Sequence, residues 1–402
     1  MSNISYRKDF PIFENNPGLV YLDSTATSQK PAYVIDSLCD FYRNDFASIH
    51  RGSYSLSEKS EEFYDNSKKK VKEFLNANSI QEIIYTYNAN YAMNILACSL
   101  DCSNMLKAGD KVLLTISEHH SNIVPWLNLK EKIGIEIEYI GIKDDFSLDM
   151  DDFKSKYDEK VKIISFTQVS NVTGQIYDLE EIGKLKREDT LFIVDASQSF
   201  PHMKVDVKKF NADFLFFTAH KVMAETGLGI LWGKKELLSN MKSVFSGGGA
   251  INWVKEDSYR QASLPGRFEP GTPHISGAVT LLKALEYIEN IGGYEAIDKY
   301  DSELIKYTLE KIKEIPELKL IGGTNAEKRV GVFSFGLDGF HALDVAEELA
   351  SKNICVRSGQ HCAEPLAIRL GINSTFRMSL YIYNTIEDID RFFDAIKEIL
   401  KK

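Results

Sequence analysis

Through the first two-thirds of the chain, short runs of nearly continuous apolar residues alternate with longer stretches of helical period. The runs fall at 83–87, 111–116, 136–140, 162–169, 191–195, 214–218 and 228–232. Several of them (LFIVD, FLFF, LGILW) are apolar at almost every position, the pattern of strands covered on both faces. Helical periods at 91–100 and 179–186 lie between them. Such alternation predicts an α/β unit built on a mostly parallel, seven-stranded sheet.

The rhythm changes after the Gly-rich SGGGA and the loop RFEPGTP. A helix over 277–291 is stopped by Gly292 and Gly293, where glycine supplies a left-handed cap. A second helix, 294–315, ends before Pro316. Strand-like segments at 318–321, 330–335 and 354–357 surround a helix at 342–351. The chain closes on 385–402, where Thr385 and Asp388 form a capping box ahead of the stripe Ile386, Ile389, Phe393, Ile396, Leu400. The expected division is a large α/β domain over 17–285 and a smaller α+β domain over 286–402, with residues 1–16 packing against the latter. A length of 402 residues also favours more than one domain.

Composition narrows the class. With 44% hydrophobic, 26% charged and 11% aromatic residues the chain has the material for a sizeable core, which excludes intrinsic disorder. A net charge of −10 argues against nucleic acid or an anionic membrane as the main partner. The five cysteines, Cys39, Cys98, Cys102, Cys355 and Cys362, form no C-x-x-C pair and suggest neither a disulfide framework nor a metal site. The start lacks an apolar leader and no run of about 18 apolar residues occurs, so the expectation is a reduced, cytoplasmic protein.

The candidate chemistry sits at strand ends. LFIVDASQS places Asp195 and Gln198, and FLFFTAHK places Thr218, His220 and Lys221, at the carboxyl ends of consecutive buried strands, where open α/β sheets bind ligands. A lysine there can be an amine of depressed pKa suited to a Schiff base, and the Asp is what a pyridinium nitrogen needs, a pairing that suggests pyridoxal phosphate. A helix-capping Asp and a solvated Lys account for the same spacing equally well. SEHHSNIVPW sets His119 and His120 after another strand, where an imidazole could stack on a ring or carry protons, and one of the two is expected to be structural. In YNANYAMN a helix opens where its free N–H groups favour phosphate; Asn88 and Asn90 are equally readable as plain N-caps. In VRSGQHCAEPL, Arg357, His361 and Cys362 occupy a polar loop, so Cys362 is expected to be accessible. The other four cysteines read as small packed hydrophobes. Arg377 in STFRMSLYIYNT is a fork-shaped cation able to hold a carboxylate or to make a surface ion pair.

Taken in order, YLDSTATSQKP, HRG, SEHHSNIVPW, QVSNVTG, VDASQ, TAHK, GGGAI, RFEPGTP, RSGQHCAEPL and RMSLYIYNT resemble the class V, fold-type I pyridoxal-phosphate enzymes, and closely the group II cysteine desulfurases. The resemblance implies that Lys221 forms the internal aldimine and moves the substrate Cα proton. Asp195 would pair with the pyridinium, Gln198 touch the ring hydroxyl side, and His119 stack on the ring. Thr218 and His220 would bind the phosphate, helped by the 88–90 loop with Ala89 and Asn90, and by Thr272 of the partner subunit. Asn171 and Arg377, with Arg357 beside them, would hold the substrate carboxylate, and Cys362 would take the sulfur of L-cysteine as a persulfide. Such enzymes are homodimers that pass sulfur to an acceptor protein of the SufE/SufU kind for iron–sulfur or related assembly.

The departures are local. The family usually reads close to RGTTEAIN where this chain has YNANYAMN, and Gly-Pro-[Ser/Thr]-Gly where it has Ala224-Glu225-Thr226-Gly227. Gln360 replaces the first His of a usual His-His-Cys. These changes bear on cofactor affinity and rate more than on reaction type. The rival readings are a selenocysteine lyase, a cysteine sulfinate desulfinase or another class V aminotransferase, and, from a different class, a non-catalytic regulator on the same fold. An aminotransferase uses the Lys, the Asp and the Arg and has no use for Cys362.

Overall fold

The computed structural model describes residues 6–402. Seven strands form one sheet: β1 (Ile83–Thr86), β2 (Lys111–Thr115), β3 (Glu136–Ile140), β4 (Val161–Thr167), β5 (Leu191–Asp195), β6 (Phe214–Thr218) and β7 (Gly229–Gly233). Their spatial order is β1-β7-β6-β5-β4-β2-β3. All neighbouring pairs are parallel except those of β7, which runs antiparallel to both β1 and β6. The carboxyl ends of β1 to β6 therefore share one edge, and β7 begins there.

The apolar runs are strands for the reason their composition gives. β2, β6 and β7 are buried at every position, with helices on both faces, whereas the edge strand β3 is exposed at Glu136 and reads EIEYI. The expected strand 162–169 overshoots: β4 ends at Thr167, and the Gln168 carbonyl accepts from the Tyr177 amide instead, as the chain leaves the sheet.

A second, antiparallel sheet is formed by β8 (Leu318–Ile321), β9 (Val332–Leu337), β10 (Arg357–Gly359) and β11 (Thr375–Ser379), in the order β8-β9-β11-β10. Phe335 and Phe376 pack on Phe392 of the closing helix Ile386–Ile399, whose capping box at Thr385 and Asp388 is formed in both directions. The segment expected as one strand over 354–357 is two. Ile354–Cys355 pairs in parallel with Val20–Tyr21, then the chain turns so that Arg357 joins β10. At the other end of the chain, Phe10 packs its ring edge-on against Tyr383 and Tyr287, and Arg7 pairs with Asp388 at 2.8 Å. Residues 1–5 of the segment expected to pack there lie outside the described residues.

The cysteines correct one expectation. Cys39 and Cys102 are exposed and Cys98 and Cys355 half-buried, so none of the four is a fully packed hydrophobe. Cys102 is the last residue of its helix, and Cys39 lies off the face that buries Val34 and Phe41.

Candidate active site

A cleft of about 410 Å³ opens at the carboxyl edge of the sheet. It is lined by the residues singled out at the strand ends except His120, together with Arg357, Cys362 and Arg377 from the second sheet and its loops. Thr272 lies elsewhere, in a neighbouring cavity of about 430 Å³ beside Tyr87 and Tyr91.

Lys221 follows β6 in a single helical turn. Loss of solvent is the main reason its amine is pushed down to about 8; the nearby Arg377 and Arg357 cations push the same way and the Asp195 carboxylate opposes them. Asp195 is buried at the end of β5, and burial raises its carboxyl although Oδ1 accepts from the Ser197 amide at 2.8 Å. Asp195 thus does cap the turn that follows it, and it also faces the cleft. His119 is held by its own turn: Nδ1 accepts from the Ser121 amide at 3.1 Å. Burial, then the Lys221 charge, lowers its imidazole to about 3, so His119 is neutral across the working range. Gln198 is fixed by Nε2 donating to the Thr25 carbonyl at 3.1 Å.

The residues present fit pyridoxal phosphate. His220 Nδ1 is buried without a hydrogen-bond partner, and burial holds this ring down to about 4, leaving a neutral imidazole at the cleft wall. Asn88 caps the helix Ala89–Cys102 by accepting from the Tyr91 amide at 2.8 Å, so of the two asparagines Asn88 is the N-cap. Ala89 and Asn90 form the first turn facing the cleft, where unpaired amides suit a phosphate. Gly229 makes this approach feasible: a Cβ there would stand 2.2 Å from the Asn88 backbone. Thr218 Oγ1 reaches the Leu228 carbonyl at 3.4 Å, a long bond that a better acceptor could displace.

Across the cleft lies a cationic corner. Arg377 is only 3% exposed, which rules out a surface ion pair. Its Nη1 donates to the Asn171 carbonyl at 2.9 Å, Nη2 lies 3.6 Å from Asp23, and Nε has no partner. Arg357 is held by Asp23 through Nε and Nη2, at 3.2 and 3.0 Å to Oδ2. Asp23 was not legible as a site residue; it arrives beneath both arginines because Val20–Tyr21 pairs with Ile354–Cys355 and Asp23 bridges Ser379.

Cys362 is exposed at the cleft rim. It and His361 both have left-handed backbones, with φ of 56° and 57°. The Asn171 side chain donates to the His361 carbonyl at 2.8 Å, and the His120 amide donates to the Cys362 carbonyl at 2.9 Å. Glu118, also missed, is fully buried beside His119: it accepts from Thr115 Oγ1 at 2.6 Å, Asn122 Nδ2 at 2.7 Å and the Thr167 amide at 2.8 Å, while burial pushes it up to about 8. Its bonds fix the turn that presents His119. Among the described residues, no group of three or more His, Cys, Asp or Glu side chains is placed to hold a metal ion.

A strand order with one antiparallel member, a lysine and a carboxylate at adjacent strand ends, and an arginine opposite them define a class. Residues 20–392 match the aminotransferase class-V family model, and the chain belongs to that family. Within it, the chain is 41% identical over 395 residues to a probable cysteine desulfurase of Staphylococcus epidermidis, covering 97% of this chain and 95% of that one. It is 40% identical over 397 residues to one from Pyrococcus abyssi, with coverage of 98% and 97%. Among solved structures, the apo cysteine desulfurase of Thermococcus onnurineus NA1 superposes with a TM-score of 0.94 at 38% identity, covering 100% of this chain and 99% of that one. The Escherichia coli cysteine desulfurase CsdA, in an S-sulfonic acid form, gives 0.90 at 29%, covering 98% of each. The fold is that of the fold-type I pyridoxal-phosphate enzymes, shared also with an 18%-identical C-DES mutant that holds glycine covalently linked to its PLP cofactor (TM-score 0.83, coverage 98% and 99%).

Proposed function

We propose that this protein is a pyridoxal-phosphate-dependent cysteine desulfurase, converting L-cysteine to L-alanine and taking the sulfur onto Cys362 as a persulfide. The observation that carries the reading is an exposed thiol, Cys362, on the rim of a cleft that also holds a buried lysine and a buried arginine. Lys221, Asp195, Gln198, His119, Thr218, His220, Ala89 and Asn90 would hold the cofactor, with Thr272 reaching it from a second copy in a homodimer. Bound there, the cofactor supplies an electron sink that makes loss of the substrate Cα proton feasible.

The rest falls to the chain's own residues. Arg377, with its free Nε–H, and Asn171 orient the substrate carboxylate, and Arg357 lies beside them. Lys221, pushed down to about 8, holds and returns the Cα proton near neutral pH. The Cys362 thiolate attacks the substrate sulfur; an S–S bond forms, the C–S bond breaks, and its electron pair stays with the carbon skeleton that becomes alanine. The persulfide then passes to an acceptor protein, for iron–sulfur or related assembly, in a reduced cytoplasmic setting. Among the described residues no helix is long and apolar enough to cross a membrane. We further take 17–285 as the cofactor unit and 286–402, with the N-terminal segment, as the unit carrying the cysteine loop; the separate core around Phe335, Phe376 and Phe392 supports a second unit, although that core also takes in Val20 and Leu22, while Phe10 and Phe13 pack in the larger one.

Incubation with L-cysteine, followed by mass measurement with and without reductant, tests the reading. The expected result is a reducible gain of one sulfur on the Cys362 peptide and loss of alanine release in Cys362→Ala. Full alanine release by that variant would overturn it.

A further inference from the structure

Of the two adjacent histidines only His119 faces the cleft; His120 turns to the cysteine loop. The His120 amide donates to the Cys362 carbonyl at 2.9 Å, and its ring nitrogen Nε2 pairs with the Glu364 carboxylate, two residues past the cysteine. Asn171 Nδ2 holds the carbonyl just before, that of His361, at 2.8 Å. His361 Nε2 in turn meets Thr375 Oγ1 of β11 at 2.9 Å. Between these ties lie two consecutive non-glycine residues with φ of 57° and 56°. Left-handed backbone is disfavoured for residues with a Cβ and persists where surrounding contacts over-determine it. Each of the two strained residues has its carbonyl held from outside the loop, and Glu364, which opens the helix Glu364–Arg369 directly after it, meets a histidine from the turn after β2.

The geometry points to His120 and Glu364 as positioning residues: together they latch the Cys362 loop onto the turn after β2 and so set where the thiol stands over the cleft. The inference rests on the sulfur-transfer reading for its consequence, but the latch itself is a structural claim. His120 acts through the loop and touches no reacting atom. The contact is partly exposed, with side chains 35% and 47% accessible, so its contribution is modest and a several-fold effect is the correct scale. Arg377 is anchored by its own bond to the Asn171 carbonyl and by Asp23, contacts that involve neither His120 nor Glu364, so loosening the latch affects attack on sulfur and not substrate capture.

The test uses holoenzyme variants Glu364→Ala, Glu364→Gln, His120→Ala and the double His120→Ala/Glu364→Ala, read by amide hydrogen exchange and by steady-state alanine release. In Glu364→Ala, exchange in the peptides containing His120 and 358–366 is expected to rise about two- to five-fold, as loss of a partly exposed polar contact allows. Peptides from β5 and β6 should not change. The kcat should fall by a similar factor at constant KM for cysteine, Glu364→Gln should recover part of both effects, and the double variant should be no worse than the singles. Unchanged exchange in Glu364→Ala overturns the latch, as does faster exchange with an unaltered kcat. Faster exchange throughout the central strands would make Glu364 a general structural residue and also sink the proposal. If the wild-type protein forms no persulfide at all, the sulfur-transfer reading falls while the exchange arm still decides the latch.

Discussion

At the level of single residues the site is a set of groups held away from their aqueous protonation. Burial lowers Lys221 to about 8 and keeps His119 and His220 neutral, while it raises Asp195. The sign for Lys221 gives a direct test. Only the neutral amine condenses with an aldehyde, and its fraction climbs about tenfold per pH unit below the pKa and levels above it. The rate at which cofactor-free protein is reloaded by added pyridoxal phosphate should therefore rise up to about pH 8 and then flatten. A rise that continues toward pH ~10.4, the value of a solvated lysine, would mean the amine is not desolvated. The altered turn after this lysine is likewise no loose charge. Glu225 pairs with His274 at 2.7 Å and accepts from Ser276 at 2.9 Å, so the carboxylate that departs from the family pattern has partners.

Elements decide which of these residues meet. Gly229 opens β7 where the chain must pass the Asn88 backbone, and a Cβ would sit 2.2 Å from it. Gly229→Ala should push the first turn of the Ala89–Cys102 helix away from the cleft, at a cost of about 1–3 kcal/mol typical of overpacking. Faster dissociation of the cofactor, followed by the decay of its visible absorbance on dilution, is the expected outcome; an unchanged rate would place the phosphate cradle elsewhere. The central strands were legible because burial on both faces leaves nearly every position apolar, as in FLFFT of β6. Lys221 and Asp195 stood out at the ends of such runs, where capping and solvation explain the spacing equally well, and the ordered set of motifs rather than spacing singled them out together with Cys362. Asp23 was not. Its meaning depends on a pairing two residues long between Val20–Tyr21 and Ile354–Cys355, and two residues carry no period. Glu118 escaped because an acid before two histidines reads as a surface turn until β2 and β4 close over it.

On the scale of the whole molecule, the proposed catalytic arrangement depends on holding the second sheet against the first, since Cys362 and Arg377 come from one side of the cleft and Lys221 and Asp195 from the other. Several buried ties span that junction. Arg329 donates to the Thr173 carbonyl, next to the turn that carries Asn171, and Tyr381 donates to the Pro201 carbonyl at 3.0 Å. The best-defined is His202, in the segment after β5, whose Nδ1 lies 2.7 Å from Oδ2 of Asp301 on the helix Gly293–Ile312, with the Tyr381 ring edge-on at 5.2 Å. Both side chains are almost wholly buried, so removing one leaves the other without a partner in a dry site. Asp301→Ala should cost about 1–3 kcal/mol, the usual penalty for a stranded buried polar group, and Asp301→Asn, which keeps an acceptor, should cost less. Urea unfolding followed by far-ultraviolet circular dichroism measures this directly. A midpoint shared by wild type and Asp301→Ala would mean that the His202–Asp301 pair adds nothing to the stability of the junction.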